Sequence, residues 1–329
     1  IRGGEAAAVL RLSAQPVESP DDRYDLVLAI DPGSVGRFVA EIPLNSDSVL
    51  ITDTGAARRG TELPETPAQV FDLPMKSLAK TIEGGRPNMI ALGAIARLIG
   101  LPEVHLYPVL EKTLKSKGAD ALEASGACVK LGYSSGQRLP KFNGPEVIDQ
   151  QKNERWSLTG NEAAGLGAIR GGVRFVAAYP ITPATEMLEW LAATLPKVGG
   201  VLVQAEDELA SVNQVIGASF GGIPALTATS GPGFALMTES IGLAVCSEVP
   251  IVVVDVMRCG PSTGIATKSE QSDLNIALNG LHGDAPHVVV AVSSVSDSAF
   301  TGQWAVSLSE ALQTPVIVLS DQSIGQTRA

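Results

Sequence analysis

The amino-acid sequence predicts an α/β protein with a doubly wound, largely parallel sheet, and three observations support this fold class. Short runs rich in valine, isoleucine and alanine recur in the second half of the chain, each followed by a turn and a helical pattern. These runs are apolar throughout rather than alternating, as expected for strands that helices cover on both faces. Aromatic residues make up only 4% of the chain, so small aliphatic side chains must build its cores.

A smaller α/β domain is predicted over residues 1–132. One of its predicted helices, over 89–101, is apolar on nearly all sides and has Asn88 as its N-cap. A second, amphipathic helix is predicted over 109–122, where leucines stand among lysines and glutamates. The predicted strands are 6–12 at a sheet edge, 25–30 and 49–52.

Residues 133–157 are polar, rich in Gly, Pro, Gln and Asn, and without sustained periodicity, which predicts a linker. Residues 158–329 are predicted to form the second domain, in which strand, turn and helix alternate. Its predicted strands are 175–179, 201–203, 225–228, 251–256, 288–292 and 316–319, and its named helices are 161–169, one from 186, 206–219 and 234–247.

Composition excludes several classes of protein. The formal net charge is −11, so no basic face is expected that could neutralise nucleic-acid phosphates. The longest apolar runs are far shorter than the ~20 residues that span a bilayer. Cys128, Cys246 and Cys259 form no CxxC pair, so neither a disulfide framework nor a zinc or iron–sulfur site is expected in this chain. These features favour a soluble, cytoplasmic protein.

Four distinctive segments fall at the carboxyl ends of predicted strands. In the central one, Tyr-Pro-Ile-Thr-Pro at 179–183, two prolines bracket Thr182 and stiffen the turn. The others are Glu-Asp-Glu at 206–208, Thr-Ser-Gly-Pro-Gly at 229–233 and the loop 258–267, which begins with arginine. If their strands run parallel, all four segments meet at one sheet edge, where such folds bind ligands.

Each segment also has a simpler explanation. The segment 179–183 can be an ordinary proline-rich turn, and acidic residues in the first turn of a helix complement its dipole. The glycines at 229–233 can serve only to let the chain turn into a helix. The segment also lacks the third glycine of the dinucleotide-binding motif GxGxxG. Arg258 can simply reach solvent at the end of a buried strand. The occurrence of all four segments in this order favours the functional interpretation.

In this order and spacing, the chain resembles the α subunit of 2-oxoacid:ferredoxin oxidoreductases, the family of pyruvate:ferredoxin and 2-oxoglutarate:ferredoxin oxidoreductases. The resemblance covers most of 157–321, and residues 1–132 look like the γ-type domain that is fused ahead of it in many such subunits. The motifs that carry it are GNEAA at 160–164, YPITP at 179–183, the acidic helix start at 206–208, TSGPGFALMTESIGLA at 229–244, and RCGPSTG with EQSDL within 258–274.

The sequence departs from the family pattern at a few places. The glycine-rich strand–turn–helix that opens the γ-type domain and the domains that follow residue 321 in the family are not found, and residue 1 is not methionine. We therefore expect the native protein to extend beyond both ends of this chain. Ala266-Thr267 also stands where the family usually has Pro-Thr.

The resemblance implies a thiamine-diphosphate enzyme that cleaves a 2-oxoacid. It assigns Glu208 as the catalytic residue, a glutamate that bonds to the pyrimidine nitrogen of the cofactor, with Gly217 nine residues on and Glu206 as the weaker candidate. Arg258 is expected to bind the substrate carboxylate, with hydroxyl groups from Thr182 and Thr267. The expected cofactor-binding residues are Tyr179, Pro180, Ile181, Glu208, Ser230 and Gly231.

The rest of the site is expected on a partner. The family's β subunit holds the diphosphate, Mg²⁺ and a [4Fe–4S] cluster; coenzyme A accepts the acyl group, ferredoxin accepts the electrons, and two heterodimers assemble around a twofold axis. The GPSTG and EQSDL segments favour the 2-oxoglutarate type over the pyruvate type. Two other possibilities remain open, namely a thiamine enzyme without iron–sulfur chemistry and a non-catalytic nucleotide-binding or assembly subunit.

Overall fold

The structure, a computed structural model, describes residues 6–13, 17, 23–53, 69–139 and 156–329. The chain divides into two compact units, residues 1–151 and 152–329. The predicted linker over 133–157 lies largely outside the described residues, but 133–135 complete a helix, so ordered structure extends into its first residues.

The first unit contains a three-stranded parallel sheet in the order β1-β2-β3. Helices pack on it around a core that includes Ile51, Met75 and Ile90. The strands are β1 (Leu26–Ala29), β2 (Val49–Thr52) and β3 (Gln69–Asp72), and the helices are α1 (Pro32–Val35), α2 (Met75–Lys80), α3 (Pro87–Leu98), α4 (Leu106–Leu114) and α5 (Ala119–Ser135).

Several predictions for the first unit are confirmed and several are wrong. The strands at 25–30 and 49–52 and the buried helix near 89–101 are present as β1, β2 and α3. The stretch 6–12 is exposed and is not a strand, because the described strands of this sheet pair only with one another. Asn88 is not an N-cap, since Pro87 already occupies the first helical position. The helix predicted over 109–122 is two helices, α4 and α5, separated at Gly118, whose φ is +94°.

In the second unit, six parallel strands form one sheet in the order β5-β4-β6-β7-β9-β8. This confirms the predicted doubly wound α/β class. The strands are β4 (Phe175–Ala178), β5 (Val201–Gln204), β6 (Ala225–Thr229), β7 (Val252–Met257), β8 (Val288–Ala291) and β9 (Val316–Asp321). The helices are α6 (Gly160–Gly171), α7 (Thr185–Thr194), α8 (Glu208–Phe220), α9 (Gly231–Cys246), α10 (Leu274–Asn279), α11 (Val295–Leu312) and α12 (Gln322–Gln326).

Helices cover both faces of this sheet, as its apolar strands require. On one face α6, α7 and α11 bury Val252 and Val254; on the other, α8, α9 and α10 bury Val253. The two central strands β6 and β7 are buried along their whole length. Because side chains alternate along a strand, Asp255 in β7 points to the same face as Val253, toward α8 and α9. A carboxyl group thus lies within an otherwise apolar strand.

Candidate active site

The four segments singled out in the sequence follow four neighbouring parallel strands, β5, β4, β6 and β7. Their carboxyl ends share one sheet edge, so the expectation that these segments lie on the same edge is confirmed. The chain leaves β4 toward β5 on one side, and from β6 it continues to β7 on the other. The boundary between β4 and β6 is therefore a topological switch point, the place at which open α/β sheets form a ligand crevice.

The turn after β4 is held in place by two side chains from distant segments. Asn161, buried in the first turn of α6, donates from Nδ2 to the carbonyl oxygen of Pro183 at 3.0 Å. Arg258 donates from a terminal nitrogen to the carbonyl oxygen of Thr182 at 2.7 Å. The peptide bond between Thr182 and Pro183 is cis. Tyr179 and the Thr182 side chain remain exposed, so the outer side of the turn is open.

Glu208 is the first residue of α8, and its side chain is buried. Asp207 caps the helix by accepting from the amide of Ala210 at 2.7 Å, and this cap places Glu208 over the start of α9. A Cβ atom added at Gly233 would lie 2.5 Å from Glu208 Oε1, so the carboxylate touches the α9 backbone. Glu206, the weaker candidate, is exposed.

No hydrogen bond to the Glu208 carboxylate is found from any described residue. Glu208 is only 7% exposed. Its oxygens are not among the fully buried atoms, so a ligand or a bound water can reach this carboxylate, which no protein donor satisfies. Gly217, which the family spacing singles out, has open space around it, since an added Cβ would meet no described atom within 4 Å.

The start of α9 combines an unsatisfied hydroxyl with two closely approached glycines. Ser230 stands at the N-cap position and is fully buried, yet its Oγ makes no hydrogen bond within the described part of the chain. A Cβ at Gly231 would lie 2.6 Å from the Asp273 carboxylate, and one at Gly233 would lie 2.2 Å from Thr229 Oγ1. The glycines are therefore required by side chains that pack against them.

Arg258, at the end of β7, donates to two backbone carbonyls, those of Thr182 and Thr263, and its buried Nε has no partner among the described residues. The loop 258–272 is compact. Gly264 has a φ of +64°, and a Cβ there would lie 1.8 Å from the carbonyl oxygen of Cys259. Gly260 donates its amide to Glu270 at 3.1 Å. This contact ties the beginning of the loop to its end.

The structure thus brings some of the predicted residues together and leaves one apart. Thr182 contacts Arg258, while Glu208 lies beside Gly233, two residues beyond Gly231. Thr267 is exposed and forms no hydrogen bond with a described residue, although its neighbour Ala266 accepts from Gln322 at 3.1 Å. Its predicted hydroxyl role stays a prediction.

Sequence reasoning missed three residues that shape the site, Asn161, Asp255 and Asp273. Asn161 and Asp273 stand inside motifs that were used only to recognise the family. Asp255 could have been singled out from the sequence, because an aspartate interrupts the otherwise apolar strand Val-Val-Val-Asp-Val-Met. It is fully buried, and burial together with the neighbouring Asp273 raises its pKa well above the ordinary value.

Within the described ranges, no group of three or more His, Cys, Asp or Glu side chains could hold a metal ion. Cys128, Cys246 and Cys259 are free thiols, of which Cys128 is buried. No helix among the described residues is long and apolar enough to cross a membrane.

The second unit is of the thiamine-diphosphate-binding class. The family described as "Pyruvate flavodoxin/ferredoxin oxidoreductase, thiamine diP-bdg" matches residues 166–329. A second family, "Pyruvate ferredoxin/flavodoxin oxidoreductase", matches residues 1–135. The chain belongs to the 2-oxoacid:ferredoxin oxidoreductase family, as its motifs indicate.

Several relatives carry names of 2-oxoglutarate enzymes. The 2-oxoglutarate synthase subunit KorA of Archaeoglobus fulgidus is 52% identical over 52% of this chain and 49% of its own length. The 2-oxoglutarate oxidoreductase subunit KorA of Mycobacterium tuberculosis is 30% identical over 98% of this chain and 53% of its own length. The chain therefore spans about half the length of the curated relatives it matches.

A solved structure gives the same result for the fold. It is the 2-oxoglutarate:ferredoxin oxidoreductase from Magnetococcus marinus with 2-oxoglutarate, coenzyme A and succinyl-CoA bound. The match has a TM-score of 0.84 and 39% sequence identity, and it covers 96% of this chain and 55% of that one.

Proposed function

We propose that this chain is part of the α subunit of a thiamine-diphosphate-dependent 2-oxoglutarate:ferredoxin oxidoreductase. The enzyme decarboxylates the 2-oxoacid oxidatively, forms the acyl-CoA and passes electrons to ferredoxin. In this proposal the second unit carries the half of the active site that binds the pyrimidine ring of the cofactor. The names of the relatives support the substrate, since they specify 2-oxoglutarate.

The observation that carries the proposal is the buried Glu208 carboxylate at a topological switch point, without a hydrogen-bonding partner in the described protein. The residues around it fit a flat heterocycle. Gly231 and Gly233 bring the α9 backbone close, the Ser230 hydroxyl is unsatisfied, and Tyr179 is exposed at the opposite turn. A donor and an acceptor aimed at the same crevice are what a pyrimidine ring with ring nitrogens and an amino group requires.

When bound, thiamine diphosphate supplies the carbon nucleophile and the electron sink that decarboxylation of a 2-oxoacid requires. Glu208 holds the proton that is exchanged with the pyrimidine nitrogen, and its burial keeps that hydrogen bond away from water. Ser230 and the backbone at Gly231, with Tyr179, Pro180 and Ile181 across the crevice, position the ring.

Arg258 is the residue we assign to the substrate carboxylate. Two of its five N–H groups are used by the carbonyls of Thr182 and Thr263, which fixes the plane of the guanidinium group. The other hydrogens on its two terminal nitrogens remain available for an anion, and the planar fork suits a carboxylate. Thr182 and Thr267 are exposed on the same two loops and are assigned as hydroxyl donors.

The active site is completed by a β subunit in this proposal. That partner holds Mg²⁺, the cofactor diphosphate and a [4Fe–4S] cluster, and two heterodimers form the enzyme, which acts in the cytoplasm. A pyruvate-type enzyme is the alternative, because both matching families are named for pyruvate. Two other possibilities are less well supported, namely a thiamine enzyme without iron–sulfur chemistry and a non-catalytic nucleotide-binding or assembly subunit. Neither explains both the 2-oxoglutarate names of the relatives and a Glu208 carboxylate without a hydrogen-bond donor.

A reconstitution assay tests the proposal. The full-length protein is purified with and without its co-expressed partner, and reduction of a viologen dye is measured with 2-oxoglutarate, pyruvate or no substrate, in the presence of coenzyme A. We expect dye reduction only with the partner present, and faster with 2-oxoglutarate than with pyruvate. Reduction by this polypeptide alone would contradict the two-chain site, and a preference for pyruvate would change the substrate assignment.

A further inference from the structure

Asp255 is a fully buried acid whose hydrogen-bonding capacity is unmet. It lies in β7, opposite Thr229 of β6 and Leu319 of β9, and neither of its oxygens has a hydrogen-bond donor among the described residues. An isolated ionised carboxylate in such a place is strongly disfavoured. The structure must therefore supply either a compensating cation or a proton.

A second acid, Asp273, lies beside Asp255, and burial together with this neighbour raises the pKa of Asp255. Asp273 precedes α10, and its amide donates to the sulfur of Met257 at 3.4 Å. Its Oδ1 accepts from Ser272 at 3.0 Å, whereas its buried Oδ2 has no donor from the described protein. The carboxyl group also lies against Gly231 at the N-terminus of α9, where the helix dipole favours an anion.

We infer that Asp255 and Asp273 share one proton and that this pair fastens the end of the loop 258–272 to the sheet beside the start of α9. Two carboxylates offer each other only acceptors. With a proton on Asp255, its O–H donates to Asp273 and the contact becomes a hydrogen bond. Asp273 keeps the negative charge, since the Ser272 hydroxyl and the helix terminus stabilise it there. Asp255 and Asp273 are thus positioning residues for the loop that carries Arg258.

Among the described groups on these elements, we assign the neutralising role to the proton. The other titratable groups on these elements are Cys259, Lys268 and Glu270 in the loop, Glu208 at the start of α8 and Asp321 at the end of β9. Burial raises the pKa of Asp273, with the charge of Glu270 as a smaller cause. Asp321 is satisfied by the amide of Ile324 and by Gln271. The guanidinium group of Arg258 is bonded to the carbonyls of Thr182 and Thr263.

The consequence is a loop whose anchoring depends on pH. Above the pKa of the shared proton, two anions face each other in a buried site, so Asp273 is pushed away and the loop end loosens. This consequence for substrate binding rests on the proposed function, because it takes Arg258 as the carboxylate ligand. KM for the 2-oxoacid is then expected to rise by up to about tenfold for each pH unit, the slope of a single lost proton, while kcat changes little.

The variant that tests this is Asp255→Asn, studied in the enzyme purified with its partner subunit. The asparagine amide donates to Asp273 at every pH, so KM should no longer rise on the alkaline side. Asp297→Asn is the matched control, because this carboxylate lies in α11, bonded to Ser293 and away from the loop. In this control, KM should rise with pH as it does in the unmodified enzyme. If Asp255→Asn fails to fold, Asp273→Asn places the hydrogen-bond donor on the other residue of the pair. This variant should likewise abolish the rise of KM with pH.

Two measurements without turnover keep this inference separate from the proposed function. Infrared spectra should contain the carbonyl band of a protonated carboxylic acid at neutral pH, and Asp255→Asn should lack it. Limited proteolysis within 258–272, compared between the variant and the unmodified protein, should differ only at alkaline pH. Absence of the acid band would overturn the shared proton. The anchoring role would be overturned if Asp255→Asn kept the rise of KM with pH, or if the two proteins were cleaved equally within 258–272 at alkaline pH. The proteolysis result holds even if the enzyme uses another substrate.

Discussion

Replacing Gly233 with alanine is the perturbation for which the structure gives the most direct magnitude. The added Cβ would lie 2.2 Å from Thr229 Oγ1 and 2.5 Å from both Cγ and Oε1 of Glu208. Carbon atoms in contact are normally about 3.5 Å apart, so the Glu208 side chain must retreat by about 1 Å. Thr229 is fully buried in β6, so the α9 backbone must shift as well as the Glu208 side chain.

A displacement of this size from the productive position can lower turnover by about 10²-fold. Overpacking should also lower the free energy of unfolding by about 1–3 kcal/mol. The matched control is Gly242→Ala in the same helix, where an added Cβ meets no described atom within 4 Å. Alanine there should raise stability by about 0.5–1 kcal/mol, since glycine is unfavourable inside a helix.

The assay measures viologen reduction by the partner-assembled enzyme together with urea unfolding of each variant. We expect Gly233→Ala to lose turnover far beyond its loss of stability, and Gly242→Ala to keep turnover near that of the unmodified enzyme. Unmodified turnover in Gly233→Ala would refute the reasoning, because Glu208 could then move by 1 Å without consequence. Equal losses in both variants would point to α9 as a whole rather than to the Glu208 contact.

Three further predictions follow from the same contacts. Glu208→Gln should keep the fold and lower turnover by about 10²-fold or more in steady-state kinetics. Glu206→Gln, at an exposed position, should keep turnover near that of the unmodified enzyme. The opposite result would assign the catalytic role to Glu206. Arg258→Lys loses one of the two carbonyl contacts and the planar fork, so KM for the 2-oxoacid should rise about tenfold with little change in thiamine diphosphate affinity; calorimetric loss of cofactor binding would disprove the assignment. Asp255 has a folded-state pKa above its ordinary 3.8, so its contribution to stability is fully present below about pH 4 and is lost as the pH rises toward the folded-state pKa, by about 1.4 kcal/mol per unit. Asp255→Asn should flatten this decline in urea unfolding, and an unchanged decline would show that another group binds the proton.

Where the secondary structure predicted from the sequence differs from the structure, the difference has an identifiable cause. β3 was not predicted, because Gln69–Asp72 is short, mostly exposed and exists through its pairing with β2. The stretch 6–12 has strand-like composition but no pairing partner among the described strands. In the second unit every predicted strand is present, because buried parallel strands must be apolar along their whole length and this pattern is visible without a structure.

The recurring apolar runs determined the fold class, and the four segments that follow them determined the edge of the sheet at which the site lies. Parallel strands place their carboxyl ends together whatever their exact packing. The roles of individual residues depended on the tertiary structure. The family spacing favoured Glu208 over Glu206, but residue type and position near a helix start do not separate them; the cap by Asp207 buries Glu208 against Gly233 and leaves Glu206 in solvent. Asp255 and Asp273 are far apart along the chain, and they meet only because a loop returns to the strand it left. Contacts of this kind arise from how elements pack, and no local pattern of residues encodes them.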